Sequence, residues 1–199
     1  MVDVLIPTFR DPSAIAEMVA DIRRTVVIAD NVIASCEAGS ASYNRNRCLD
    51  RSTSDVAIML DDDIRGFYVG WDADLLDALK DKSVVAASAR LLQLDGRPAQ
   101  TCSRIYDLTP DEIEISPGVC CVMPTAAIAF RNSGIRFDES FRGSGFEDGD
   151  WFFSYRQRFP GCRFIQSNKC RLIHLNEMKS QREHWRHNKA VFNSKWKTK

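Results

Sequence analysis

Short apolar runs alternate with segments of helical character along the first half of the chain. Apolar runs without polar alternation are typical of strands that are buried on both faces. Such strands are predicted at 2–6, at 25–28 together with 31–34, at 56–60 and at 84–88. Helices are predicted between them, over 11–24, 43–51 and 71–80. This alternation predicts an α/β domain with a mainly parallel central sheet flanked by helices.

The second half of the chain is less periodic. Residues 91–116 predict loops and short strands, and 119–130 is β-rich although Pro124 interrupts it. Two terminal strands are predicted at 164–166 and 171–173, followed by a basic helix over 181–196. We therefore expect one domain over 1–178, with halves 1–90 and 91–178, and a basic C-terminal helix and tail over 179–199.

Three consecutive aspartates, Asp61, Asp62 and Asp63, directly follow the apolar run 56–60. In open α/β sheets, ligands bind beyond the carboxyl ends of the strands. Alternation along an extended backbone would place Asp61 and Asp63 on one side and Asp62 on the other. Two carboxylates that project together favour a cation, and Mg²⁺ or Mn²⁺ would keep coordination positions for phosphate oxygens. The alternative is a solvated acidic turn, but the buried strand before it favours a metal–phosphate site.

Two further polar groups follow later in the chain. Glycines at 143 and 145 predict a mobile turn, after which Glu147, Asp148 and Asp150 begin a helix whose dipole favours negative charge. Asp150 is interpreted as structural, whereas Glu147 and Asp148 also suit a general base. A lone histidine such as His174 is more often structural, and it becomes a candidate ligand only if it shares a site with Asp63.

Composition narrows the function classes. A chain of 199 residues can form one domain with a substantial core. Lys+Arg and Asp+Glu are equal at 27 each, so no global field attracts nucleic acid or membrane. No run is long enough to cross a bilayer and no signal peptide is visible. The seven cysteines lack a C-x-x-C pair, which favours reduced thiols over a disulfide framework or a zinc site. We therefore expect a cytoplasmic protein.

The order of these motifs resembles that of the family 2 glycosyltransferases of the GT-A fold. The resemblance spans nearly the whole chain and depends on order and spacing rather than on any single motif. The segments that carry it are Ile6-Pro7-Thr8-Phe9, Arg45-Asn46, Asp61-Asp62-Asp63, 134–139, Glu147-Asp148, His174 and 188–196.

The resemblance implies a GT-A-like nucleotide-diphospho-sugar transferase fold, with 1–90 as the nucleotide-sugar-binding half and 91–178 as the acceptor and catalytic half. It implies transfer of a sugar from a nucleotide-diphosphate sugar, UDP-linked in the first instance, to an acceptor hydroxyl with inversion. Asp148 would be the catalytic base, and Glu147 would bind the acceptor or orient the base. Asp63, His174 and Asp61 would bind Mn²⁺ or Mg²⁺. The implied donor-binding residues are Pro7, Thr8, Phe9, Arg10, Glu37, Arg45, Asn46, Asp61 and Asp62.

Two positions depart from the family pattern. The second strand usually ends in two aspartates, one of which touches the base, whereas this chain has Glu37 in the loop 35–39. Arg10 stands where asparagine is usual. Recognition of the nucleotide base is therefore expected to differ from that in the family.

Two other functions remain open. One is a non-catalytic nucleotide-sugar-binding module of the same fold, which the intact carboxylates disfavour. The other is a sugar-phosphate nucleotidyltransferase, which the absence of glycine from 7–11 disfavours. The acceptor also stays open between a glycan, a lipid-linked compound, a protein and a modified nucleic acid. The basic residues of the C-terminal segment predict a solvated helix face, or alternatively a weak contact with an anionic surface. They are Arg182, Arg186, Lys189, Lys195, Lys197 and Lys199.

Overall fold

The computed structural model describes residues 1–99, 112–114, 125–175 and 181–196, with only the backbone of 112–114, 168, 181 and 182. The strands in these ranges are β1 (Val2–Thr8), β2 (Asn31–Cys36), β3 (Val56–Leu60), β4 (Ile64–Arg65), β5 (Val84–Leu92), β6 (Glu112–Glu114), β7 (Ala127–Arg131) and β8 (Arg163–His174). The α-helices are α1 (Ala16–Thr25), α2 (Ala41–Arg51), α3 (Trp71–Leu76), α4 (Glu147–Arg158) and α5 (Gln181–Trp196). Two short 3-10 helices cover Pro12–Ile15 and Asp77–Lys80.

The strands form one sheet in the order β2-β1-β3-β7-β5-β8-β4, with β6 paired to β8. β1 runs parallel to β2 and β3, and β5 runs parallel to β8. β7 lies antiparallel to both β3 and β5, and β4 and β6 are antiparallel to β8. The expected α/β fold is confirmed, but its sheet is mixed rather than mainly parallel. An apolar sequence pattern indicates that a strand is buried, but it does not indicate whether the strand runs parallel or antiparallel to its neighbours.

Helices cover both faces of the sheet. Val4 and Ile6 of β1 belong to an apolar core shared with α1 and α3. Leu5, on the opposite face of the same strand, packs in a second core with α2 and α4. The period of two along β1 therefore divides the domain into three layers.

Most predicted helices are confirmed. The helix predicted over 11–24 begins as a 3-10 turn, in which Asp11 accepts a hydrogen bond from Ser13 N at 2.9 Å, and continues as α1. The helix predicted over 71–80 is α3 followed by a 3-10 helix. α2 begins two residues before the predicted helix, because Ser40 caps it by accepting from Tyr43 N. α5 has the predicted bounds.

The strand predicted at 25–28 is wrong. The backbone N–H groups of Val27, Ile28 and Ala29 donate to the buried carboxylate of Asp72 instead of to a neighbouring strand. The strand predicted at 84–88 extends to Leu92, and those predicted at 164–166 and 171–173 form one strand, β8. Predictions over 100–111 and 115–124 lie outside the described residues.

Two further findings concern the chain's chemistry. Among the described residues, no helix has the length and apolar character needed to cross a bilayer. Cys36, Cys48, Cys162 and Cys170 are free thiols.

Candidate active site

A cavity of about 440 Å³ lies beyond the carboxyl ends of β1 and β3. The predicted site residues that line it are Pro7, Thr8, Phe9, Arg10, Arg45, Asp61, Asp62, Asp63 and His174. Gly143, from the predicted mobile turn, also lines it, and so do Gly39, Ala41, Asn44 and Ser144, which the sequence did not indicate. These five belong to two segments that only the fold brings beside β1.

Asp61, Asp63 and His174 converge on one point at the cavity edge. One ligand atom from each of the three residues lies within 4.8 Å of the others. His174 Nε2 is 3.2 Å from Asp63 Oδ1, and both side chains are buried. Two carboxylate oxygens and an imidazole nitrogen form a donor set that suits Mn²⁺, so the residues present fit a divalent cation.

The backbone around Asp63 explains this convergence. β3 ends at Leu60, and a turn closes when Ile64 N donates to Asp61 O at 3.2 Å. β4 then pairs Ile64 with His174, and Leu175 N donates to Asp63 O at 3.2 Å. The prediction of an extended backbone at 61–63 is therefore wrong. The turn nevertheless places Asp62 apart from Asp61 and Asp63, as predicted.

Asp62 faces the end of β1. Its carboxylate accepts a hydrogen bond from Thr8 Oγ1 and lies 3.3 Å from Arg10 Nε. Arg10 N in turn donates to Thr8 Oγ1 at 2.9 Å. Asp62 therefore fixes residues 8–10 at the cavity border, where the side chain of Phe9 is exposed.

The protonation equilibria of the cluster reflect its burial and charges. Burial lowers the pKa of His174, but the hydrogen bond and the charge of Asp63 outweigh it and the net pKa is raised. The pKa of Asp61 is also raised, by burial in the first place. The charge of Arg45 lowers this pKa and the charge of Asp148 raises it further. A bound cation would favour ionised Asp61 and neutral His174.

Arg45 connects this cluster to Glu147 and Asp148, the predicted catalytic carboxylates. Its buried guanidinium lies 3.3 Å from Asp61 Oδ1, 3.0 Å from Glu147 Oε1 and 2.9 Å from Asp148 Oδ1. Burial lowers the pKa of Arg45, but these carboxylates outweigh that effect and raise it above its ordinary value. Arg45 is therefore a permanent cation that bridges α2, the aspartate turn and α4.

Glu147 and Asp148 differ in environment. Glu147 is buried, and burial together with the charge of Asp148 raises its pKa to about 7 against the opposing effect of Arg45. The Asp148 side chain is 26% exposed and accepts a hydrogen bond from Thr125 Oγ1 at 2.5 Å. Neither residue lines the cavity itself, and Asp148 is the more accessible carboxylate.

Two predicted donor-binding residues lie away from the cavity lining. Glu37 accepts a hydrogen bond from Tyr43 Oη at 2.9 Å and pairs with Arg51. The Asn46 amide exchanges hydrogen bonds with the backbone of Phe137 and donates to Glu139 Oε1 at 2.7 Å. Both side chains therefore hold neighbouring segments in place.

Comparison of the whole fold identifies its class. Glucosyl-3-phosphoglycerate synthase from Mycobacterium tuberculosis, in complex with phosphoglyceric acid, superposes with a TM-score of 0.67 at 13% identity, over 100% of this chain and 81% of the synthase. The fold is that of the GT-A glycosyltransferases. The predicted resemblance to this class is confirmed at the level of the fold.

Two further structures share this GT-A fold. Mannosyltransferase PcManGT from Pyrobaculum calidifontis, with GDP-Man and Mn²⁺, gives a TM-score of 0.60 at 14% identity over 95% of this chain. GalNAc-T7 with UDP, GalNAc and Mn²⁺ gives a TM-score of 0.60 at 14% identity over 87% of this chain. The chain spans 60% of the mannosyltransferase and 43% of GalNAc-T7. No family model and no curated protein sequence matches the chain.

Proposed function

We propose that the chain is a metal-dependent glycosyltransferase that moves a sugar from a nucleotide-diphosphate sugar to an acceptor hydroxyl, with inversion at the anomeric carbon. The observation that carries the proposal is the convergence of Asp61, Asp63 and His174 beside a carboxylate pair linked to them by Arg45. The Mn²⁺ and nucleotide ligands of structures with the same fold support a donor of this class.

The donor would lie in the cavity beyond β1 and β3. Asp63, His174 and Asp61 would hold Mn²⁺ or Mg²⁺ against its diphosphate. When bound, the cation supplies positive charge that offsets the charge developing on the leaving nucleotide diphosphate. Thr8, Phe9 and Arg10 border the same cavity and would contact the nucleotide.

Asp148 would act as the general base. As the acceptor oxygen bonds to the anomeric carbon and the bond to the diphosphate oxygen breaks, Asp148 would accept the hydroxyl proton. Its partial exposure allows access to an acceptor, and Thr125 and Arg45 fix its orientation. Glu147 is buried beside Asp148 and pairs with the same guanidinium, that of Arg45, so it would orient the base.

Replacing the proposed base tests the mechanism. Asp148→Asn keeps the size of the side chain and removes its basicity, so donor turnover should fall by roughly 10²–10⁴-fold while Mn²⁺-dependent nucleotide binding persists. Glu147→Gln should have a smaller effect. Release of nucleoside diphosphate from a panel of UDP- and GDP-sugars, with and without candidate acceptors, measures turnover. Asp55→Asn, at the opposite end of β3, is the matched control.

The possible results separate the alternatives. A larger loss for Glu147→Gln than for Asp148→Asn would transfer the base role to Glu147. Nucleotide-sugar binding without turnover by the unaltered protein would favour the non-catalytic binding module. Donor turnover that neither substitution changes would exclude the proposed base mechanism.

A further inference from the structure

One buried side chain of the C-terminal helix α5 makes four hydrogen bonds to the turn that precedes Glu147. Asn188 of α5 is completely buried. Its Oδ1 accepts a hydrogen bond from Arg142 N at 2.9 Å. Its Nδ2 donates to the backbone oxygens of Arg142, Gly145 and Ser144 at 2.8, 2.9 and 3.3 Å. The amide of Asn188 therefore uses both its donor and its acceptor groups to bind the backbone of 142–145.

The conformation of this turn requires external support. Gly143, Gly145 and Phe146 all have positive φ, at 53°, 107° and 71°. Phe146 is the one non-glycine residue with positive φ in the described part of the chain, and a side chain disfavours this region. The Phe146 ring packs against Trp185 and Phe192 of α5, with ring centroids 5.8 and 5.7 Å away. Contacts with α5 thus hold a backbone shape that the turn would not adopt by itself.

The same turn connects the two parts of the candidate site. Gly143 and Ser144 line the cavity, and Gly143 O accepts a hydrogen bond from Ala41 N at the start of α2. α2 carries Arg45, whose partners Glu147 and Asp148 directly follow the turn in α4. A displacement of the turn would therefore move the cavity wall and shift the carboxylates relative to Arg45.

We infer that Asn188 is a positioning residue for the proposed transfer reaction, acting through the backbone of 142–145 to place Asp148 against the acceptor. This inference depends on the proposed function. Asn188 does not line the cavity, so its effect reaches the reacting atoms through the turn. Asp63, His174 and the proposed nucleotide contacts Thr8, Phe9 and Arg10 lie outside the turn, so its displacement should affect metal and nucleotide binding less than the position of Asp148.

Kinetics of Asn188 variants test the inference. Asn188→Ala removes all four hydrogen bonds, and Asn188→Asp keeps the acceptor for Arg142 N while losing the donations. We expect kcat for donor turnover to fall about 10–100-fold in both variants, because a misplacement of about 1 Å costs on the order of 10²-fold in rate. The Kd of the nucleoside diphosphate with Mn²⁺ should change by less than about threefold, since its predicted contacts remain. Ser194→Ala, at an exposed position of the same helix, is the control and should retain wild-type kcat.

Each measurement is made well below the melting temperature of the variant, and Asn188→Asp provides the test if Asn188→Ala does not fold. A folded Asn188 variant with wild-type kcat, or with kcat restored by cooling alone, would overturn the positioning role while leaving the proposed function intact. An equal loss of kcat and of Mn²⁺-dependent nucleotide affinity would also overturn it. If the unaltered protein neither binds nucleotide with Mn²⁺ nor turns over any donor, the proposed function fails and the role of Asn188 fails with it.

Discussion

At the scale of single residues, Arg45 sets the electrostatics of the site. A buried cation among Asp61, Glu147 and Asp148 allows three acids to lie close together, which would otherwise be costly. The resemblance to the family 2 glycosyltransferases implied Arg45 as a donor-binding residue. Its pairing with Glu147 and Asp148 could not be predicted, because those residues lie about a hundred positions away in the chain.

Asp63 is predicted to be the main carboxylate ligand, since it is buried and directly contacts His174. Asp63→Ala should remove Mn²⁺-dependent nucleotide binding and leave the circular dichroism spectrum unchanged. Isothermal titration of UDP and GDP, with Mn²⁺ and with EDTA, measures the difference. Asp55→Ala is the control at the other end of β3. Equal nucleotide affinity of Asp63→Ala and wild type in Mn²⁺ would contradict the assignment.

The pKa of His174 gives a pH dependence with a definite sign. Asp63 raises this pKa above its ordinary value of ~6.5, so without metal the protonated imidazole is favoured. A metal ion needs the neutral imidazole, and protons therefore compete with it. Mn²⁺ affinity should fall as the pH drops through the raised pKa.

The same shift affects stability in the opposite direction. In EDTA, the stabilisation by protonated His174 is complete below the unfolded pKa and is lost as the pH rises through the folded pKa. His174→Ala should bind Mn²⁺ more weakly and with a shallower pH dependence. Titration of Mn²⁺ at several pH values checks this. An identical pH profile for wild type and variant would show that His174 is structural.

At the scale of elements, the helices were predicted better than the strands. α5 was predicted with its observed bounds, and α2 to within two residues. The strand predicted at 25–28 failed because its N–H groups bond to Asp72, more than forty positions away. The direction of β7 also depends on its distant partners β3 and β5.

Asp72 should matter for stability and not for the site. Asp72→Ala would leave the N–H groups of Val27, Ile28 and Ala29 without their acceptor, at a cost of about 2–3 kcal/mol in the free energy of unfolding. Asp77→Ala, which breaks surface ion pairs with Lys80 and Lys169, should cost less than about 1 kcal/mol. Urea denaturation measures both changes. Asp72 holds the segment between α1 and β2. A loss of Mn²⁺-dependent nucleotide affinity in folded Asp72→Ala would show that this segment also affects the site, contrary to the prediction.

At the scale of the whole molecule, the site depends on contacts between distant parts of the chain. The sequence could indicate the aspartate triplet, the Glu147–Asp148 pair and His174, because each stands at the boundary of a recognisable element. It could not assign Gly39, Ala41 or Asn44 to the cavity, since these residues become neighbours of β1 only through the folding of α2. The Asn188 contacts were equally hidden, because an asparagine within a helix carries no local signal for a distant turn.

A ligand that binds across these elements should stabilise the whole fold. Nucleoside diphosphate with Mn²⁺ would contact the end of β1, the turn after β3 and the end of β8, so it binds the folded chain and not the unfolded one. At a ligand concentration of 100 times Kd, linkage gives about 2.7 kcal/mol. For a chain of this size that corresponds to a rise of about 5–10 °C in melting temperature. Differential scanning fluorimetry with UDP and GDP should show the rise in Mn²⁺ and its loss in EDTA. Asp63→Ala should show no metal-dependent rise, whereas Asp148→Asn should retain it, because the proposed base is not needed for donor binding. A rise that persists in EDTA would contradict the metal-dependent mode of binding.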